Sequence, residues 1–195
     1  WVTDAQGRLV HDSGVGDLGT DLSNTVYFKA LQAAPQTPFL VSAPVKSRVD
    51  GMWLIPAAKP LLDAQGRFAG TIAASVNPLF FDTLWRSIDL GPDGSVSLFR
   101  KDGVMLARSP FHEASMGKNF GNGPVFTDHL PRQATGHFQS VSAIDGVSRM
   151  IAYRSLSAQP ELVVLVGQSY DLVLKPWREL AWLAFAIWLA AAIAI

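Results

Sequence analysis

Two copies of one pentapeptide set the strongest constraint on what this chain can build: Asp4-Ala5-Gln6-Gly7-Arg8 and Asp63-Ala64-Gln65-Gly66-Arg67. A Gly shortly after an Asp supplies the positive φ that a tight reversal needs. Pro92-Asp93-Gly94 and Lys101-Asp102-Gly103 repeat the signal. Each turn is followed by a strand-like run, at residues 8–13, 67–76, 95–100 and 104–108. The recurrence predicts two similar units of short antiparallel strands, the second starting near Gly91.

Helices are expected between the strands. Asp21 or Ser23 is placed to cap a helix running to about Ala34, with Leu22, Val26, Ala30 and Leu31 as its apolar stripe. Asn77-Pro78 reads as an N-cap followed by a proline in the first turn, opening a helix that leads to the Gly91 break. The second unit shows strands near 95–100, 103–108, 136–142, 147–155 and 161–168. A Gly- and Asn-rich stretch at 117–123 and a short helix near 124–130 interrupt them. Ser169 can cap a last helix, with Tyr170, Val173, Leu174, Trp177 and Leu180 on one face and a kink expected at Pro176. The pattern is α+β, antiparallel sheets with helices laid on them.

Residues 180–195 contain no charge, no Gly and no Pro. A bilayer core of ~30 Å needs about 20 apolar residues, and these 16 supply roughly 24 Å. The expectation is a C-terminal transmembrane helix cut before its far end, with Trp177 and Trp182 in the interfacial belt. The alternative is a buried terminal helix, although such helices usually keep a polar stripe. Trp1 opens inside a strand-like pattern, so the chain reads as a fragment.

Composition removes several classes of function. Lys+Arg and Asp+Glu both total 16, and no basic block occurs, so no nucleic-acid footprint is expected. A hydrophobic fraction of 49% excludes a disordered chain. The absence of cysteine removes disulfides, thiolate metal sites and cysteine nucleophiles. Gly14-Val15-Gly16-Asp17-Leu18-Gly19 matches the dinucleotide fingerprint in letters only: the strand before it alternates, and no βαβ unit follows. The four histidines, His11, His112, His129 and His137, are scattered without metal-ligand spacing. No catalytic set, no metal site and no cofactor are expected.

One set of residues converges on a ligand reading. On the strand 52–60, Trp53, Ile55, Ala57 and Lys59 share a face because strand side chains alternate. On the strand 67–76, Ala69, Thr71, Ala73 and Ser75 form a face of small residues that leaves room for a helix or a ligand. Tyr27 on the first helix, with Lys46 and Arg48 in the loop before the strand, could supply a polar end. An aromatic wall with nearby cations suits a small anionic organic molecule. Ordinary core packing of Trp53 with solvated cations is the other reading of the same residues.

The run Asp21-Leu22-Ser23-Asn24-Thr25-Val26-Tyr27-Phe28-Lys29-Ala30 resembles the helix motif of bacterial double Cache (PDC, PAS-like) sensor domains. Ala43-Pro44-Val45, Gly51-Met52-Trp53, the segment 63–70, Asn77-Pro78-Leu79-Phe80-Phe81 and the segment 102–108 fit the same series in order. The resemblance implies two PAS-like units: a membrane-distal unit at 1–90 lacking its N-terminal helix, a membrane-proximal unit at 91–168, and a stalk and transmembrane helix at 169–195. It implies a ligand-sensing extracytoplasmic domain of a bacterial inner-membrane receptor, with the ligand in the distal unit, a homodimeric state, and a diguanylate cyclase or histidine kinase as cytoplasmic output. Thr25 stands where family members often carry an Arg that holds a ligand carboxylate. Asn77 stands where amino-acid-sensing relatives place an Asp that holds the ammonium. Neither supplies that charge.

The expected ligand-binding set is therefore Thr25, Tyr27, Lys46, Arg48, Trp53, Lys59 and Asn77. The expected partners are a small-molecule ligand, the lipid bilayer and a second copy of the chain. The alternatives are a membrane-tethered hydrolase, for which no nucleophile–base pair is found, and a ligand-free structural or partner-binding ectodomain.

Overall fold

The computed structural model describes residues 1–14, 16–47 and 51–193. Six strands form the first sheet: β1 (Val2–Asp4), β2 (Leu9–His11), β3 (Leu40–Val41), β4 (Val45–Lys46), β5 (Trp53–Leu62) and β6 (Phe68–Val76). Their order is β2-β1-β6-β5-β3, antiparallel throughout, with β4 also paired to β5.

The twin pentapeptides make the same turn. Asp4 Oδ1 accepts from the amides of Gln6 and Arg8 at 3.0 and 2.9 Å, and Asp63 Oδ1 accepts from those of Gln65 and Arg67 at 2.9 Å each. Gly7 and Gly66 sit at φ +83° and +78° and donate back to the carbonyls of Asp4 and Asp63. The first turn joins β1 to β2 and the second joins β5 to β6.

The first helix, α1 (Val26–Ala33), starts later than the sequence suggests. Thr25 is its N-cap residue, and the Thr25 hydroxyl donates to Leu22 O at 2.7 Å rather than capping. Its buried face is Tyr27, Phe28 and Leu31, whereas Val26 is exposed. The two aromatic rings carry more apolar area than Val26 or Ala30, so the helix turns them inward. Phe28 and Leu31 are fully buried against Ala58 of β5 and Ala73 of β6, with Trp1, Leu40 and Phe68 around them. Each such burial stabilises by ~1.5–3 kcal/mol.

Asn77-Pro78 opens α2 (Pro78–Trp85), with Asn77 Oδ1 accepting from the Leu79 amide at 2.9 Å. The second sheet follows: β7 (Ser95–Arg100), β8 (Met105–Ser109), β9 (Thr135–Val141), β10 (Ser148–Leu156) and β11 (Gln159–Ser169). Its order is β8-β7-β11-β10-β9, again antiparallel. A π-helical turn at Val125–His129 lies between β8 and β9. One apolar cluster joins the two sheets: Ile55 packs with Leu98, Leu106 and Ala107, and Phe81 and Trp85 of α2 close around them with Val41, Leu162 and Val164. The two-sheet α+β architecture expected from the turns is what forms.

β11 runs into α3 (Tyr170–Ile193) with no intervening loop, and Pro176 lies inside that helix. The expected membrane span is not found here. Among the described residues no helix is long and apolar enough to cross a membrane. Lys175, Arg178 and Glu179 occupy the N-terminal half of α3, and the apolar stretch beyond them, 180–193, rises only ~21 Å.

Candidate functional site

The strand register decides which expected site residues can meet. In an antiparallel pair, residues directly opposite one another share a face. Ala58 pairs with Ala73, and Pro60 with Thr71, which places these residues on the side covered by α1. Ile55 pairs with Val76 and Lys59 with Ile72, which places them on the other side. The Trp53 face and the small-residue face therefore point in opposite directions. Trp53 and Lys59 do share a face but stand six residues apart, about 20 Å along the strand.

Tyr27 lies on the α1 side, buried, where its hydroxyl accepts from Trp1 Nε1 at 3.0 Å. Thr25 is the half-buried residue at the start of α1, Lys59 is exposed on the far face, and Asn77 is engaged as the cap of α2. Arg48 lies outside the described residues. Lys46 and Trp53 are the pair the structure brings together: they are directly opposite on β4 and β5, with Lys46 Nζ 5.4 Å from the indole centroid. Both reach Glu113 of the second unit, Lys46 Nζ at 2.8 Å and Trp53 Nε1 at 3.4 Å. The hydrogen bond from Lys46, then that from Trp53, hold the Glu113 carboxyl below its usual range. This constellation ties β4 and β5 to the segment that follows β8.

A partly open cavity lies elsewhere, in the second unit. A cavity of about 400 Å³ lies between the face of the second sheet turned away from α2 and the segment carrying Phe120, Val125 and Phe126. Register builds its floor in rows. Phe138, Ile151, Gly167 and Ser95 lie side by side across β9, β10, β11 and β7. Leu165, Ser97 and Arg108 form the next row across β11, β7 and β8, and Ser140 and Arg149 a third. Gly167 is required by a close approach: a Cβ there would stand 2.7 Å from Arg149 Cδ.

Arg108 and Arg149 are both almost completely buried, at 5% and 3% exposure. Arg108 donates to Ser97 Oγ at 3.0 Å and to Asp145 Oδ2 at 2.7 Å. Arg149 donates to the Asp93 carbonyl at 2.6 Å and to both oxygens of Asp145 at 2.7 and 2.9 Å. Asp145 sits in the turn between β9 and β10. Burial alone would raise its carboxyl, but hydrogen bonds from Arg149, from Ser142 and from the Val147 amide outweigh it and hold the group well below the carboxylate range. Burial lowers Arg108, and repulsion from Arg149 adds to it, while Asp145 opposes the shift. Sequence reasoning missed this site. The available signal was a cation closing the apolar run Met105-Leu106-Ala107-Arg108.

A sequence profile described as dCache_1_like, histidine kinase sensor domain, matches residues 78–167. The extracellular domain of rpHK1S-Z16, described as a histidine kinase, shares 34% identity over 89% of this chain and 70% of its own, with a TM-score of 0.79. This chain belongs to the double Cache family of sensor domains. Two more distant sensor domains share the fold. The periplasmic sensory domain of the Campylobacter jejuni chemoreceptor Tlp1 is 18% identical, covers 82% of this chain and 60% of its own, and has a TM-score of 0.65. The ligand-binding domain of the Pseudomonas aeruginosa amino acid chemoreceptor PctB, in complex with L-Arg, is 17% identical, covers 98% and 75%, and has a TM-score of 0.65. Comparison with curated proteins gives no match.

Proposed function

We propose that this double Cache domain is the extracytoplasmic sensor of a bacterial inner-membrane receptor, holding a small organic molecule in its first unit and signalling through α3. The observation that carries the reading is mechanical continuity. Ile55 of the first sheet is packed into the second sheet, and β11 of that sheet becomes α3 without a loop. A change in β5 is therefore felt by the strand that starts the outgoing helix. Gly91 adds a second hold on that helix, since a Cβ at this position would meet Leu172 Cδ2 at 2.3 Å.

Within this reading Lys46 and Trp53, tied to Glu113, link the units rather than hold the ligand, and Tyr27 faces the bound molecule from α1. Exposed Trp177, Trp182, Phe185 and Trp188 on α3 support a bilayer at that end of the chain. A second copy of the chain and a cytoplasmic histidine kinase or diguanylate cyclase complete the receptor. A ligand shifts such an equilibrium only by its differential affinity for the two packings.

The test is a thermal-shift screen of the chain against L-amino acids and small organic acids. At least one compound is expected to raise the midpoint saturably, with the gain lost in Tyr27→Ala and kept in Lys46→Ala. A screen in which nothing stabilises the chain, or in which Tyr27→Ala responds like the parent, would sink the distal reading.

A further inference from the structure

One wall of the cavity in the second sheet carries two cations against a single carboxylate. Two buried guanidinium groups, Arg108 and Arg149, stand on the wall of the cavity, and no Asp or Glu is among its lining residues. Asp145 lies behind them and offers one negative charge against two positive ones. A guanidinium has five N–H donors. The hydrogen bonds among the described residues engage two of those on Arg108 and three of those on Arg149. Burying charge is costly unless it is paired, and here two guanidinium groups, at 5% and 3% exposure, share a single carboxylate. The pressure on Arg108 to lose its charge, caused by burial and by Arg149, points the same way.

The rest of the wall is mainly apolar and aromatic, with Asn119, Asn122 and four serines among its lining residues. Phe99, Phe120, Phe126 and Phe138 surround the space, and Ile151 and Leu165 form part of its floor. A volume of about 400 Å³ lies within the range of small-molecule sites. We infer that the second unit holds its own small-molecule site, for a monoanion in which one carboxylate is attached to an apolar or aromatic body. The carboxylate meets Arg108 and Arg149, and the body packs among the phenylalanines. Guanidinium–carboxylate pairing is the natural geometry for such recognition.

The position of the site gives it a consequence. Leu165 and Gly167 of its floor belong to β11, and Gly167 is three residues from the start of α3. An occupant thus presses on the strand that continues into the outgoing helix, independently of whatever the first unit holds.

The experiment uses the full chain with sodium benzoate as the probe and benzamide as its uncharged analogue. The ¹⁵N–¹H signals of the Arg108 and Arg149 side chains report the second unit, and the indole signal of Trp1, bonded to Tyr27, reports the first. Benzoate is expected to shift both guanidinium signals saturably, to leave the Trp1 indole in place, and to bind at least about tenfold tighter than benzamide. Ser140→Phe fills the cavity from β9 beside Arg149, its cross-strand neighbour, and is expected to abolish the benzoate-dependent shifts while the fold is retained. Should that variant fail to fold, the unmodified chain still decides. No saturable guanidinium shift with benzoate, or equal binding of benzamide, overturns the inference. A response confined to the Trp1 indole signal overturns it as well, and leaves the distal reading standing.

Discussion

Replacing Asp145 by Asn keeps the shape of the side chain and removes its charge. Asp145 accepts three hydrogen bonds from Arg108 and Arg149, all between 2.7 and 2.9 Å, and both arginine side chains are at most 6% exposed. Breaking a fully buried pair costs ~3–5 kcal/mol. Asp145 itself is 32% exposed, so water takes over part of the lost interaction, and the expected cost falls to about 2–3 kcal/mol. In a chain of this size that lowers the melting midpoint by roughly 5–10 °C. The pH dependence gives an independent check. The native carboxyl is depressed, so its contribution is complete above its unfolded value of about 3.9 and is lost as pH falls toward the native one. Urea denaturation of both proteins at neutral pH and near pH 3 measures the difference. The gap between them should shrink on acidification, because the other carboxylates titrate alike in both. A neutral-pH gap under about 0.5 kcal/mol, or one that stays constant with pH, would refute the claim that this carboxylate holds the two arginines.

Three further outcomes follow from the packing. Ile55→Ala removes the first sheet's buried contribution to the apolar cluster between the sheets and is expected to cost ~2–4 kcal/mol in urea denaturation, with two separated transitions if the units come apart. Gly167→Ala puts a methyl group 2.7 Å from Arg149 Cδ and should cost ~1–3 kcal/mol, accompanied by a displaced Arg149 side-chain signal. Asn77→Ala removes the cap of α2 and is expected to cost about 1 kcal/mol, whereas Asn77→Asp should retain most of the stability.

The turns and caps are legible in the sequence because their chemistry is local. Asp, Gln and Gly within five residues specify the reversal that occurs twice, and Asn77-Pro78 specifies a helix start without help from the rest of the chain. The start of α1 is less legible, because burial of Tyr27 and Phe28 against a sheet assembled from distant segments outweighs the capping preference of Asp21 or Ser23. Faces are legible within one strand but not between strands. Whether Lys59 opposes Ile72 or Ala73 depends on an irregularity at Leu61/Leu62, and a slip of one residue exchanges the two sides of a sheet. For the same reason Trp53 and Tyr27, grouped in one candidate site, end up on different sides of the first sheet. The arginine cavity is assembled from five strands and two loops, and its two arginines, Arg108 and Arg149, lie far apart in the sequence.

In the receptor proposed above, the direct passage of β11 into α3 sets a gain as well as a path. A helix of 24 residues is ~36 Å long, so a tilt of only ~5° at its base carries the far end about 3 Å sideways. Amplitude is thereby generated by leverage, and the domain itself needs to deform by no more than the width of a bond.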